Sequence, residues 1–190
     1  MDTYTAFAGH VRIATGPLPK VALVLKHAAP TTAPITIFSD RTGHPIDLDL
    51  RGSDREIVAR LPADAGAAAD PPASEPRGRG RPKLGVVARE VTLLPQHWEW
   101  LNAQPGGASV ALRKLVHEAR RANGDNDRAR EARDAAYHFM SAIGGHLPQF
   151  EEASRALFAG DLERFAARVA DWPADIRDHA VALAHRHRAD

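Results

Sequence analysis

The sequence predicts an α+β fold, and three observations support it. Short runs before residue 50 alternate apolar and polar side chains, which is typical of strands. After residue 95 the apolar residues recur at three- and four-residue spacing, which is typical of helices. Between them lies a Pro/Gly/Ala stretch with almost no large apolar side chain. The predicted parts are a small α+β domain at 1–61, a linker at 62–85, a strand–helix–helix module at 86–122 and a helical bundle at 123–190.

The N-terminal domain is predicted to have the order ββαββα. Gly9 supplies the turn of the first hairpin, because glycine adopts backbone angles that other residues avoid. Ser53 and Glu56 match a capping box, which starts the second helix at Asp54. The predicted elements are a hairpin over 4–15, a helix over 17–28, a strand over 35–39, a strand over 46–50 and a helix over 54–61.

Charge is segregated along the chain although the total is only +1. Residues 77–122 hold nine Lys/Arg and three Asp/Glu, a net charge of +6. Residues 61–76 and 123–190 each carry a net charge of −3. A near-neutral protein does not attract nucleic acid as a whole, but a +6 segment can. The charge pattern therefore points to residues 77–122 as a nucleic-acid-binding segment.

The basic segment opens with arginines spaced by glycines. Arg79-Gly80-Arg81-Pro82-Lys83 resembles the core of an AT-hook, with Arg77-Gly78 extending it. The resemblance implies contact with A·T-rich DNA through Arg77, Arg79, Gly80, Arg81 and Lys83. A narrow A·T minor groove attracts inserted arginines, and glycine lets the backbone approach the groove floor. The alternative is a solvated basic linker.

The residues after this arm predict a strand from Val86 to Leu94, a helix from Pro95 through Leu101, and a second helix from Ser109 to Arg121. Pro105-Gly106-Gly107 separates the two helices. Residues 87–121 resemble the ribbon-helix-helix module of the MetJ and Arc repressors. That resemblance implies a homodimer whose paired strands enter the major groove.

The same resemblance implies which residues contact DNA. Gly107 and Ser109, at the start of the second helix, would hold a phosphate on free backbone N–H groups. The strand has two possible registers: one turns Arg89 toward the groove and the other turns Thr92. Both residues are candidates for base contact. The alternative is a strand and helical hairpin used for dimerisation without DNA.

The C-terminal part is predicted to be a small helical bundle. Asn123-Gly124-Asp125 is expected to stop the preceding helix, and the next helix is expected over 127–143. Further helices are expected over 148–159, after an N-cap at Asp161, and after Pro173. Trp172 and the earlier pair Trp98 and Trp100 are expected to pack in the core rather than to stack on bases.

No motif predicts catalysis, a metal site or a cofactor. Cysteine is absent, and the spacing of His138, His146, His185 and His187 does not match a zinc site. His44, Asp47 and Asp49 suggest acid–base chemistry or, more simply, a solvated strand edge. No stretch is long and apolar enough to span a membrane, and no secretory signal is recognisable, so a cytoplasmic location is expected.

The whole chain resembles an uncharacterised bacterial family. The resemblance rests on Tyr4-Thr5-Ala6-Phe7-Ala8-Gly9-His10, Asp47-Leu48-Asp49-Leu50-Arg51-Gly52 and Gly80-Arg81-Pro82-Lys83-Leu84-Gly85-Val86-Val87-Ala88-Arg89-Glu90-Val91. It implies a bacterial source and no activity. Together these patterns predict a dimeric DNA-binding protein of the bacterial cytoplasm or nucleoid, either a transcriptional regulator or a chromosome accessory protein. The alternatives are an interaction module without nucleic acid, and a small enzyme or ligand sensor with its pocket in the N-terminal domain.

Overall fold

The structure is a computed structural model that describes residues 2–29, 31–61, 87 and 89–188. The α+β class predicted from the sequence is confirmed. The chain forms two compact units. Unit 1 comprises residues 1–68 and 125–190, and unit 2 comprises residues 69–124. This division differs from the four consecutive parts expected from the sequence.

Unit 1 contains a four-stranded antiparallel sheet in the order β2-β1-β3-β4. The strands are β1 (Tyr4–Ala8), β2 (Val11–Gly16), β3 (Ile35–Ser39) and β4 (Pro45–Ile46). Strand β4 is shorter than the predicted 46–50. The Asp49 carboxylate accepts a hydrogen bond from the Arg51 backbone N–H at 3.1 Å, so the chain turns instead of extending the strand.

Two helices complete the predicted ββαββα order: α1 (Leu18–His27) and α2 (Asp54–Arg60). The capping box is present, with Ser53 Oγ accepting from the Glu56 N–H and the Glu56 carboxylate accepting from the Ser53 N–H. Helix α1 covers one face of the sheet. The small core on that face consists of Tyr4, Ala6, Leu18, Val21, Leu25 and Ile37.

The second face of the sheet is buried too, against helices from the C-terminal part of the chain. Successive side chains of a strand point to opposite faces. Tyr4 and Ala6 therefore face α1, while Phe7 of β1 and Phe38 of β3 enter the larger core beside Phe139. The predicted separation of 1–61 from 123–190 is corrected, because the two segments share this core.

The remaining helices are α3 (Pro95–Asn102), α4 (Gly107–Gly144), α5 (Phe150–Phe158), α6 (Leu162–Arg168) and α7 (Ala174–His185), followed by a 3₁₀ turn at Arg186–Arg188. Helices α3, α5, α6 and α7 begin close to where the sequence predicts them. The N-cap at Asp161 is confirmed, since its carboxylate accepts from the Arg164 N–H at 3.0 Å.

Helix α4 corrects the predicted stop at Asn123-Gly124-Asp125, because it runs through this tripeptide without interruption. Glycine inside a helix costs only about 1 kcal/mol relative to alanine. The flanking Ala and Arg residues are strong helix formers, and Asn123 Nδ2 donates to the Ala119 carbonyl at 2.9 Å, within the helix. No proline interrupts residues 107–144, so the local cost does not end the helix.

The predicted strand at 86–94 is also corrected within the single chain. Residue 87 and residues 89–94 belong to no strand, and the chain enters α3 at Pro95 as predicted. A strand needs a neighbour to satisfy its backbone N–H and C=O groups. In the ribbon that the resemblance implies, that neighbour is a second chain.

Candidate functional site

The residues predicted to contact DNA fall into three groups. Arg77, Arg79, Gly80, Arg81 and Lys83 lie outside the described residues. Arg89 and Thr92 are exposed on the irregular segment before α3. Gly107 and Ser109 belong to the first turn of α4. The structure therefore places four of the nine predicted residues, all four in unit 2.

The start of α4 has the geometry expected of a helix N-terminus after a glycine turn. Gly107 has φ +73°, and its N–H donates to the Gln104 carbonyl at 2.9 Å. The exposed Ser109 hydroxyl accepts from the Arg113 guanidinium at 3.3 Å. The first-turn N–H groups of a helix have no carbonyl of a preceding turn to bond, so they are available to an anion.

The first half of α4 presents a basic stripe, defined here as Arg113, His117, Arg120 and Arg121. Spacings of four, seven and eight residues put these side chains on one face of the helix, and all four are exposed. Lys114 borders the stripe and lies 3.9 Å from the Glu118 carboxylate. Among the described residues, the three arginines of the stripe form no ion pair. Their charge is therefore open to an external anion.

Unit 2 also exposes apolar surface. Leu101 and Ala111 are buried, but Trp100 is 53% exposed and Leu115 is 43% exposed. Together with Val110, these two side chains help to line a groove of about 330 Å³ between α3 and α4. The expectation of core packing is therefore wrong for Trp100, and also for Trp98, which is 36% exposed. For Trp172 it is confirmed, since its ring is buried and its Nε1 donates to the Pro148 carbonyl at 2.8 Å.

Unit 1 contains a second candidate site, here called the arginine cleft, with a volume of about 330 Å³. It lies where the N-terminus, the β3–β4 turn, the middle of α4 and the C-terminal 3₁₀ turn meet. Three guanidinium groups and one imidazole outnumber two carboxylates there, which favours an anionic ligand. The lining residues are Asp2, Thr3, Arg41, Arg128, Glu131, Arg186 and His187.

Contacts within unit 1 position the arginines of the cleft. Arg186 donates to the carbonyls of Asp40 and Arg41, which fixes the 3₁₀ turn against the β3–β4 turn. Arg41 Nε lies 3.3 Å from Asp2 Oδ2, and Arg128 pairs with the Asp125 carboxylate. A guanidinium carries five N–H donors, so each arginine keeps donors beyond these contacts.

A histidine pair borders the arginine cleft. The rings of His44 and His138 stack with their centroids 3.9 Å apart. His138 Nδ1 lies 3.1 Å from the Thr42 carbonyl oxygen, which can only accept, so Nδ1 carries the proton. A smaller cavity of about 260 Å³ lies beside this pair and shares Arg41 and Glu131 with the cleft.

Asp40, which precedes Arg41 in the chain, forms a buried polar pair with His179. His179 Nε2 lies 3.3 Å from Asp40 Oδ1, close enough for attraction, although the N–H is not aligned as in a good hydrogen bond. Burial raises the pKa of Asp40, but His179 and the hydroxyls of Thr3 and Thr5 lower it more, so it lies below its usual value. The His179 ring also packs edge-on against Phe139, which points to a structural role.

The structure places the two aspartates that suggested acid–base chemistry on the surface. Asp47 and Asp49 are exposed and follow the end of β4, and hydrogen bonds from the Arg51 side chain and backbone lower the pKa of Asp49. Within residues 2–29, 31–61, 87 and 89–188, no three His, Asp or Glu side chains are grouped to hold a metal ion. No helix in that part of the chain is long and apolar enough to cross a membrane.

A family model described as "Uncharacterized protein conserved in bacteria (DUF2239)" matches residues 3–184. The chain belongs to this family. The match begins just before β1 and ends within α7, so the DUF2239 region includes residues of both units. It confirms the resemblance to an uncharacterised bacterial family. Neither the curated proteins nor the solved structures gave a match.

The arginine cleft of this DUF2239 chain was not predicted from the sequence. Its lining residues come from positions 2–3, 41, 128–131 and 186–187, which are brought together only when the C-terminal helices pack on the sheet. One local signal was present: Arg128 and Glu131 lie three residues apart on one helix face, beside an apolar stripe that includes Ala132 and Ala136. No motif identified their partners.

Proposed function

We propose that the chain is a bacterial DNA-binding protein and that residues 77–121 make the contacts. The observation that carries the proposal is the basic stripe on α4, whose three arginines form no ion pair among the described residues. The +6 charge of 77–122 and the AT-hook-like arm supply further cationic groups on the same stretch of chain. Phosphate contacts from arginines give affinity without sequence preference.

The arm adds a preference for A·T-rich DNA in this proposal. Arginine enters a narrow minor groove more readily than lysine, because its guanidinium is less strongly hydrated. The exposed segment with Arg89 and Thr92 pairs with a second copy to form the major-groove ribbon. Gly107 and Ser109 then bring the α4 N-terminus to a phosphate. A regulator or a chromosome accessory protein in the cytoplasm or nucleoid has these properties.

The proposed homodimer is supported by the apolar surface of unit 2. Val91, Trp100, Leu115 and Val116 are all exposed in the single chain. Pairing two copies through residues 87–94 would cover part of this surface and satisfy the backbone of the segment. Sedimentation of the unmodified protein at micromolar concentration tests the dimer, and a monomer there would contradict it.

Titration of purified protein against labelled duplexes at two salt concentrations tests DNA binding. With four to six phosphate contacts, affinity should fall about a hundredfold or more between about 50 and about 200 mM salt. Replacing Arg113, Arg120 and Arg121 by Gln should lower the log–log salt slope by roughly 2.7, about 0.9 for each lost contact. The matched control replaces the exposed Arg12, Arg55 and Arg164 by Gln, which removes the same charge outside the segment.

The outcomes separate the proposal from its alternatives. Equal effects of the two triple variants would show attraction by net charge alone and would contradict the assignment to residues 77–121. Replacing Arg79 and Arg81 by Lys should abolish a preference for A·T-rich over G·C-rich duplexes while keeping the charge. No binding at low salt would leave the interaction module without nucleic acid as the better interpretation.

A further inference from the structure

We propose that the arginine cleft of unit 1 binds a small ligand that carries a phosphate group. This site lies outside residues 77–121 and does not depend on DNA binding. Its volume of about 330 Å³ falls in the range of small-molecule pockets. Guanidinium groups bind phosphate oxygens through paired N–H donors, and three such groups line this cleft.

The cleft offers several donors to an anion. Asp2 is paired with Arg41 and the Asp125 carboxylate with Arg128, and Glu131 also lines the cleft. A guanidinium carries five N–H donors, so the three arginines keep donors beyond these ion pairs. A phosphate monoester offers two negative charges and several acceptor oxygens to these donors.

An unsatisfied buried atom provides an independent observation. His187 Nδ1 is buried and has no hydrogen-bond partner among the described residues. Buried polar atoms in folded proteins almost always have a partner, and leaving one without is destabilising. His187 lines the cleft, so a rotation of its imidazole would let a protonated Nδ1 donate to a ligand oxygen there.

The cleft is built to hold its shape before a ligand arrives. Arg186 is fixed by the carbonyls of Asp40 and Arg41, and Arg128 projects from the middle of the long helix α4. Donors fixed in advance lose less conformational entropy on binding than free side chains do.

Inorganic phosphate is the probe for the first experiment, with the full-length protein and constant ionic strength in chloride. Saturable binding is measured by calorimetry and by phosphorus NMR line broadening. Arg128→Gln should weaken phosphate binding about tenfold or more, the usual size of one lost charge-assisted hydrogen bond. Its matched control is Arg130→Gln, because Arg130 lies on the same helix, pairs with Asp127 at 3.0 Å in the same i,i+3 manner, and does not line the cleft.

A second variant acts in the opposite direction. Glu131→Gln removes the opposing carboxylate and should tighten phosphate binding several-fold, which a loss of structure would not do. Equal losses for Arg128→Gln and Arg130→Gln would overturn the proposal, since phosphate would then be held by surface charge alone. Acetate binding as tight as phosphate would overturn the phosphate class, and no saturable binding would overturn the site.

Discussion

Gly43 provides the sharpest test of the close contact between the β3–β4 turn and α4. The residue has φ +70°, and a Cβ built on it would lie 1.9 Å from the Ala135 carbonyl oxygen. The next nearest atoms, the carbonyl carbon and Cα of Ala135, are also backbone, at 2.7 and 2.9 Å. No side-chain rotation can relieve these contacts, so Gly43→Ala must push the turn away from the helix.

The expected cost can be worked out from this geometry. Ordinary contact begins at 3.4 Å, so the turn and the helix must separate by the difference from 1.9 Å, which is 1.5 Å. Overpacking of this kind costs about 1–3 kcal/mol, and the left-handed backbone adds about 1–2 kcal/mol for a residue with a Cβ. Gly43→Ala should therefore lower the free energy of unfolding by roughly 2–5 kcal/mol. This is a large share of the total, since a native protein typically unfolds with a free energy of about 5–15 kcal/mol.

Gly160→Ala is the matched control, because Gly160 has nearly the same φ, +75°, and the nearest atom to its Cβ is Arg133 Nη1 at 3.9 Å. Gly160→Ala should lower the free energy of unfolding only by the cost of placing a residue with a Cβ in the left-handed conformation, about 1–2 kcal/mol. Urea unfolding followed by circular dichroism measures both. Ala135→Gly should not rescue Gly43→Ala, since the clash is with a carbonyl oxygen. Equal costs for the two glycine variants would refute the close contact.

Two further predictions concern the buried pair and the long helix. The folded-state pKa of Asp40 is lowered, so the stabilisation from its ionised form is present above the unfolded pKa near 3.9 and is lost as the pH falls through the folded pKa. Asp40→Asn should therefore have a lower free energy of unfolding than the parent protein at neutral pH, and this difference should shrink in acid. Urea unfolding at several pH values measures the difference, and the same difference at every pH would contradict the prediction. Gly124→Ala should raise the free energy of unfolding by about 1 kcal/mol, and the control Ala122→Gly should lower it similarly. If circular dichroism showed less helix in Gly124→Ala than in the parent protein, the predicted helix stop at 123–125 would be correct instead.

The local elements were largely predictable from the sequence because their signals are local. The capping box at Ser53 and the N-cap at Asp161 depend on contacts within one turn, and both are present. The predicted stop at Asn123-Gly124-Asp125 is wrong because the local preference of these residues against the helix is weak. A cost of about 1 kcal/mol for Gly124 does not end a helix whose neighbours all favour it.

The partition into domains failed for a different reason, which concerns the faces of the sheet. In a strand with one buried face, buried and exposed side chains alternate along the chain. Strand β1 is different, because four successive residues are all buried: Tyr4, Thr5, Ala6 and Phe7. Such a strand requires a layer on each side. Helix α1 supplies one layer, and the sequence between residues 17 and 61 has no second long apolar helix to supply the other. The missing layer had to come from the helices after the linker.

This second layer also explains why the arginine cleft could not be predicted from a motif. Once the C-terminal helices cover Phe7 and Phe38, the end of β3 meets the middle of α4, and Arg41 approaches Arg128. The 3₁₀ turn after α7 then reaches the same edge, where Arg186 binds the carbonyls of Asp40 and Arg41. The charges that could hold a ligand are therefore a consequence of how the sheet is covered. A variant that separates the turn from α4, such as Gly43→Ala, should weaken phosphate binding even though Gly43 does not line the cleft.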